Sequence, residues 1–274
     1  MSRIVRAPST ALRDSDATGR TAPWPRWRVW AIRGWYGLLS LWAMLMASSV
    51  VRMIFGHAGP GEHFGFATVS AWKLLATGGV LVICWTGGRS VVAYQALVVG
   101  GVATMLSDRL WAVEPVDSTP VMSALAMIVL WLLPLVALRP NRRDLLRLRP
   151  QFSVVMLPMA VAAAVPLIYY SIYQGALATG GGGALIDPAY ALTALGVVLA
   201  AQAIFAALRP AGTTWLPRFV ALAAIWIGTA AIIWPDDLGS FGRAWGAAMV
   251  AWGIAFAAGA EAERRRRPSV VRPG

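Results

Sequence analysis

The stretch 216–237 reads LPRFVALAAIWIGTAAIIWPDD, and no residue between Arg218 and Asp236 carries a charge. As a helix rising about 1.5 Å per residue, that run is long enough to cross a hydrocarbon core of roughly 30 Å. Pro235 stops it, and Asp236 and Asp237 return the chain to water. Six comparable apolar runs precede it, at 34–55, 69–87, 91–106, 121–138, 153–173 and 189–208, and one follows at 241–260. The run at 91–106 is the shortest and includes Gln95, Gly100 and Gly101. In lipid the backbone must satisfy its own hydrogen bonds, so spans of this length are helices. The expected fold is an all-α, polytopic transmembrane helix bundle of about eight spans, in the cell membrane as a multi-pass protein.

Composition agrees with that class. The chain of 274 residues is 58% hydrophobic and 13% charged, against roughly 25% charged in soluble domains, and its mean hydropathy is +0.63. The formal charge of +12 raises the question of nucleic acid. However, 23 of the 24 basic residues are arginines placed in short segments between apolar runs. That pattern fits anionic lipid at the cytoplasmic face and control of topology, with no nucleic-acid partner. Cys84 is the single cysteine, so no intramolecular disulfide forms. The first apolar run follows an Arg-rich leader and is too long for a cleaved signal, so it reads as a retained span.

Orientation follows from counting. With the amino terminus inside, 20 of the 24 basic residues fall in cytoplasmic segments, and only Arg52, Lys73, Arg109 and Arg243 remain on the outer side. This bias in short loops sets topology, so both termini are expected in the cytoplasm. Residues 1–23 read as a disordered basic tail, 24–260 as the bundle, and 261–274 as a second basic tail. Trp24, Trp27, Arg28, Trp30 and Arg33 suit the headgroup level and are expected to form a short interfacial segment before the first span. Segments 116–140 and 186–210 align without gaps at 7 of 25 positions and share a terminal Ala-Leu-Arg-Pro. They read as a parallel internal repeat.

Chemistry is sparse. Glu62, Asp108, Glu114, Asp117, Asp187, Asp236 and Asp237 lie on the outer side, a distribution that a solvated face explains. His57, Glu62 and His63 share one outer loop and could supply three metal ligands, but the Gly-Pro-Gly between them lacks the helical spacing of a preformed site. No metal and no cofactor is expected. Gln95 and Gln202 lie within spans and read as interhelical glue. No span has Asp or Glu at its centre, which argues against a proton-coupled pump, and no lysine in the last span excludes a retinal pigment. Tyr169, Tyr170 and Tyr173 read as an interfacial belt, and Pro158 and Pro166 as kinks in the fifth span. In the loop after the seventh span, Asp236 or Asp237 is placed to pair with Arg243, and Ser240 to cap the last helix. Trp245-Gly246 recurs as Trp252-Gly253, a spacing at which small residues let helices approach. The one site drawn from the pattern is a shallow outer vestibule in which Arg52, Lys73 and Arg243, three cations left at span ends, hold an anionic group.

The ending Pro235-Asp236, Gly242-Arg243-Ala244-Trp245-Gly246, Ala251-Trp252-Gly253 and the basic tail resembles that of uncharacterised bacterial eight-span integral membrane proteins. The resemblance implies the fold and no activity. Gly-x-Ser-x-Gly, His-Glu-x-x-His and phosphate-loop patterns are absent. The expected function is therefore non-enzymatic, a small-molecule or lipid carrier or channel. The alternatives are a structural or regulatory subunit of an envelope complex, with a membrane-protein partner or a second copy, and a membrane enzyme with an outer-face site.

Overall fold

Long apolar runs bounded by Pro, Gly and charge become helices. The structure, a computed structural model, describes residues 25–52, 55–56, 59, 62–88, 90–111, 152–180, 186–208 and 214–266. All regular elements among them are helical: α1 (Arg26–Arg52), α2 (His63–Thr86), α3 (Val91–Trp111), α4 (Met156–Gly180), α5 (Ile186–Leu208), α6 (Leu216–Ile233) and α7 (Gly242–Arg266). The expected span 121–138 and the first copy of the expected repeat lie outside the described residues. Three helices among the described residues are long and apolar enough to cross a membrane, His63–Thr86, Met156–Ala176 and Leu216–Ile233, while Val91–Ser107 and Leu192–Leu208 are shorter apolar stretches.

Several boundaries differ from expectation. The Trp/Arg segment is not separate: α1 starts at Arg26, because no Gly or Pro interrupts the chain before Gly34. Its 27 residues span about 40 Å, and its first turns carry the Trp/Arg pattern. There Arg28 lies 5.3 Å from the Trp27 ring centre and Arg33 lies 5.6 Å from that of Trp30, cation–π contacts that suit a headgroup layer. Helix α2 starts at His63 instead of 69, and α4 runs on to Gly180 with Pro166 inside an unbroken helix. Pro158 sits in the first turn of α4, where its missing N–H costs nothing.

Helices α2 and α5 are central: α2 packs on α1, α3, α5 and α6, and α5 on α2, α3, α4 and α6. Most of the core is alanine, leucine and valine from α2, α4, α5 and α6. A smaller cluster of Ile32, Tyr36, Val80, Ile83 and Tyr94 ties α1 to α2 and α3. Glycines bring α6 and α7 into backbone contact. A Cβ on Gly228 would stand 2.6 Å from the Gly246 carbonyl oxygen, one on Gly246 would stand 2.7 Å from that of Gly228, and one on Gly253 would stand 2.9 Å from that of Ala221. The recurring Trp-Gly pair thus places glycine where the backbones touch.

Indole N–H groups stitch three further seams, α2–α6, α2–α3 and α4–α7. Trp226 of α6 donates to Ser70 Oγ at 2.7 Å and to the Ala67 carbonyl at 3.1 Å on α2. Trp72 of α2 donates to Thr104 Oγ1 of α3 at 3.2 Å, and Trp252 of α7 to the Met159 carbonyl of α4 at 3.0 Å. Tryptophan supplies both apolar area and a donor that must find a partner when buried. Here the partner is on a neighbouring helix each time.

The surface is apolar in its middle and aromatic at both ends. Leu38, Leu41, Leu81, Val98, Val102, Val161, Val165, Leu222 and Ile254 are exposed. Trp27, Trp30 and Trp85 are exposed at the end where Arg33 meets the Trp85 carbonyl, and Tyr169, Tyr173 and Trp245 near the opposite end. A soluble domain rarely exposes so many large apolar side chains, and aromatic residues at both ends suit the two faces of a bilayer.

Candidate functional site

Asp237 organises one end of the bundle. The residue before α2, Glu62, makes no side-chain cap, because its carboxylate accepts the Gly59 N–H at 3.2 Å. Asp237, from the loop between α6 and α7, accepts the Phe64 N–H instead, at 3.0 Å. A helix start leaves its first N–H groups without intrahelical partners and carries partial positive charge, and a carboxylate satisfies both. The same Asp237 oxygen lies 3.5 Å from His63 Nδ1, and the imidazole stacks on Trp234 with ring centres 5.2 Å apart. Phe241 stands edge-on to Phe64 and Tyr170, and the Tyr170 hydroxyl donates to the Gly239 carbonyl at 2.6 Å. The α6–α7 loop therefore closes over the start of α2 and packs on α4 at Tyr170.

This arrangement corrects two expectations. Asp237 is engaged by α2 and His63, and Arg243 is exposed with no ion pair among the described residues. The early start of α2 has the same cause, since its cap comes from a residue distant in sequence. Tyr169 and Tyr173 are exposed as a belt requires, but Tyr170 turns inward to hold the loop. At the start of α7, Ser240 Oγ accepts the Gly242 N–H at 3.2 Å.

Of the three vestibule cations, Arg52 is the last residue of α1, and its side chain lies outside the description. Arg243 is the second residue of α7. Lys73 is half-buried and sits about 15 Å along α2 from His63, deeper than a span starting at 69 implies. No hydrogen bond or ion pair reaches Lys73 or Arg243 from another described residue. No contact draws the two together. Helix α2 packs on α6, and α7 packs on α6 and α4.

Within the bundle Gln202 Nε2 donates to the Ala96 carbonyl of α3 at 2.7 Å, so this amide does bridge helices. Gly100 makes room for it, since a Cβ there would stand 2.8 Å from Nε2. Among the described residues no group of three His, Cys, Asp or Glu could hold a metal ion. His57 lies outside the description, while Glu62 and His63 have the separate partners given above.

The opposite end gathers arginine. Glu261, near the end of α7, meets Arg264 in a two-pronged contact, Arg265 at 3.2 Å and Arg218 of α6 at 3.6 Å. Hydrogen bonds from Arg264 and Arg265 push the Glu261 carboxyl down to about 2. Glu263 turns the other way, accepting from Ser153 Oγ at 2.6 Å and the Val155 N–H at 3.1 Å, so it caps α4. Met156, Thr214, Arg218, Ala257, Glu261 and Arg264 line a shallow cleft there. Sequence reading counted Arg218 and the basic tail for topology only and passed over Glu261. Its spacing to Arg264 and Arg265, three and four residues, was the available signal. No family model, no curated protein and no solved structure matches the chain.

Proposed function

We propose that the chain is an eight-span protein of the cell membrane with both termini in the cytoplasm, working without bond chemistry as a carrier or channel for a small molecule or lipid bearing negative charge. The observation that carries this reading is Lys73. It lies half-buried well inside an apolar helix, without a carboxylate partner among the described residues. An ammonium in a span is costly unless it reaches water or meets an opposite charge. Glu62, the acid nearest in sequence, is occupied by Gly59, and Asp237 is occupied by α2. Lys73 is then the cation that meets the anionic group along the path, with Arg52 and Arg243 at the outer ends of α1 and α7. The test is reconstitution into liposomes with two probes, entrapped inorganic phosphate and a fluorescent phosphatidylglycerol. Wild-type protein moves at least one of them faster than empty liposomes, and Lys73→Gln removes that movement. Transport of neither probe rejects the reading.

A second reading, a subunit of a membrane complex with a protein partner or a second copy of itself, is favoured by α4. Only 28% of its apolar span is buried, against 56% for α6. Co-purification of a stoichiometric partner under native conditions, together with inactive liposomes, selects it. The enzyme reading requires histidine and acids to converge at the outer face, and His63 with Asp237 is the one such pair among the described residues. Both members are engaged in capping and stacking.

A further inference from the structure

We propose that the cleft between the first turn of α6 and the last turns of α7 binds the phosphate of an anionic headgroup, with Arg218 and Arg264 as its ligands and the Thr214 hydroxyl beside them. This site lies at the opposite end of the bundle from Lys73 and does not depend on the carrier reading. Three guanidinium groups, those of Arg218, Arg264 and Arg265, converge on the single carboxylate of Glu261. Three positive charges against one leave an excess of two. The Glu263 carboxylate is directed away from these guanidiniums, to Ser153 and Val155. Each guanidinium presents five N–H donors in a fixed fork, and Glu261 takes only two from Arg264 and one from Arg265. The remaining edges face outward, with the Arg218 side chain 64% exposed and that of Arg264 53% exposed.

Glu261 thus holds the guanidiniums in place without using up their donors. A bidentate acceptor such as phosphate fits those free edges. Met156, Pro217 and Ala257 give the cleft an apolar wall below the charges, which matches the junction of headgroup and glycerol in a phospholipid. Exposed ion pairs alone are weak. Here the excess of donors over acceptors at the lipid boundary points to a ligand.

The test uses the full chain in nanodiscs of phosphatidylcholine, with and without phosphatidylglycerol, and in phosphatidylcholine with added inorganic phosphate. Phosphatidylglycerol should raise the thermal midpoint and remain bound in native mass spectrometry. The double variant Arg218→Gln/Arg264→Gln should lose that rise, with retention about tenfold weaker for each charge-assisted hydrogen bond removed. Arg266→Gln, which alters an exposed arginine of the same end outside the cleft, should keep it. An equal rise with inorganic phosphate would assign the site to a soluble phosphate and keep its chemistry. Equal losses in Arg266→Gln and the double variant, or no loss in either, would overturn the proposal. If the double variant does not fold, Arg218→Lys decides, since it keeps the charge and loses the fork. Reduced retention supports the site, and unchanged retention rejects it.

Discussion

Replacing Gly246 by alanine sets two opposed effects against each other. Alanine is the better helix former by about 0.8–1 kcal/mol, so an unobstructed site would gain stability. At Gly246 the new methyl would stand 2.7 Å from the Gly228 carbonyl oxygen, well inside the ordinary contact of about 3.5 Å. That oxygen belongs to the helical backbone of α6 and cannot rotate aside, so either α6 or α7 must shift. Overpacking of this kind costs about 1–3 kcal/mol, and a rigid obstacle places it in the upper part of that range. The net expectation is a loss of about 1–2 kcal/mol. Gly34 supplies the control, since a Cβ there meets nothing within 4 Å. Gly34→Ala should gain about 0.5–1 kcal/mol. Unfolding of both variants by sodium dodecyl sulfate, in one mixed-micelle system, gives the comparison. Equal stability of the two, or a more stable Gly246→Ala, would refute the backbone contact between α6 and α7.

Other outcomes follow from the same contacts. Asp237→Ala removes the cap that α2 receives from the α6–α7 loop and should cost about 1–2 kcal/mol; hydrogen exchange should rise first at Phe64, and protection unchanged there would contradict the assignment. Trp226→Phe keeps an aromatic side chain but a smaller one, and loses the donor to Ser70 and Ala67; the hydrogen-bond part of the loss, about 0.5–1.5 kcal/mol, should shrink in a Ser70→Ala background. The Glu261 carboxyl is lowered from 4.5 to about 2 in the folded chain, so its contribution is complete above pH 4.5 and disappears as pH falls through about 2. Thermal midpoints measured across that window should drop less steeply in Glu261→Gln than in the wild type. Equal slopes would exclude the arginine contacts as their cause.

Local punctuation decided which elements could be read from sequence. Helix α6 runs from Leu216 to Ile233, within one residue of the expected 216–234, because Pro217 and Pro235 bracket it. The start of α2 was not legible, since the group that caps it, Asp237, lies 173 positions away. Tyr170 looks like its neighbours Tyr169 and Tyr173 in sequence, and only the path of the α6–α7 loop turns it inward. The glycines of the Trp-Gly repeat were readable as a contact face because their spacing of seven keeps them on one side of α7. Which helix they meet was not. Of the vestibule, charge counting found Lys73 but not its depth, which depends on where α2 begins. Two of the three arginines of the cluster were visible in the spacing from Glu261 to Arg264 and Arg265, while Arg218 joins them through the packing of α6 on α7.

The central claim is the eight-span topology with both ends in the cytoplasm, and single-cysteine labelling in intact cells tests it most directly. With Cys84→Ser as background, cysteines placed at Ala58, Gly181 and Ser269 should divide two to one. Positions 58 and 181 should react with a membrane-impermeant maleimide from outside, and position 269 only after permeabilisation. Labelling of position 269 in intact cells, or protection of 58 or 181 until the membrane is opened, would contradict the account.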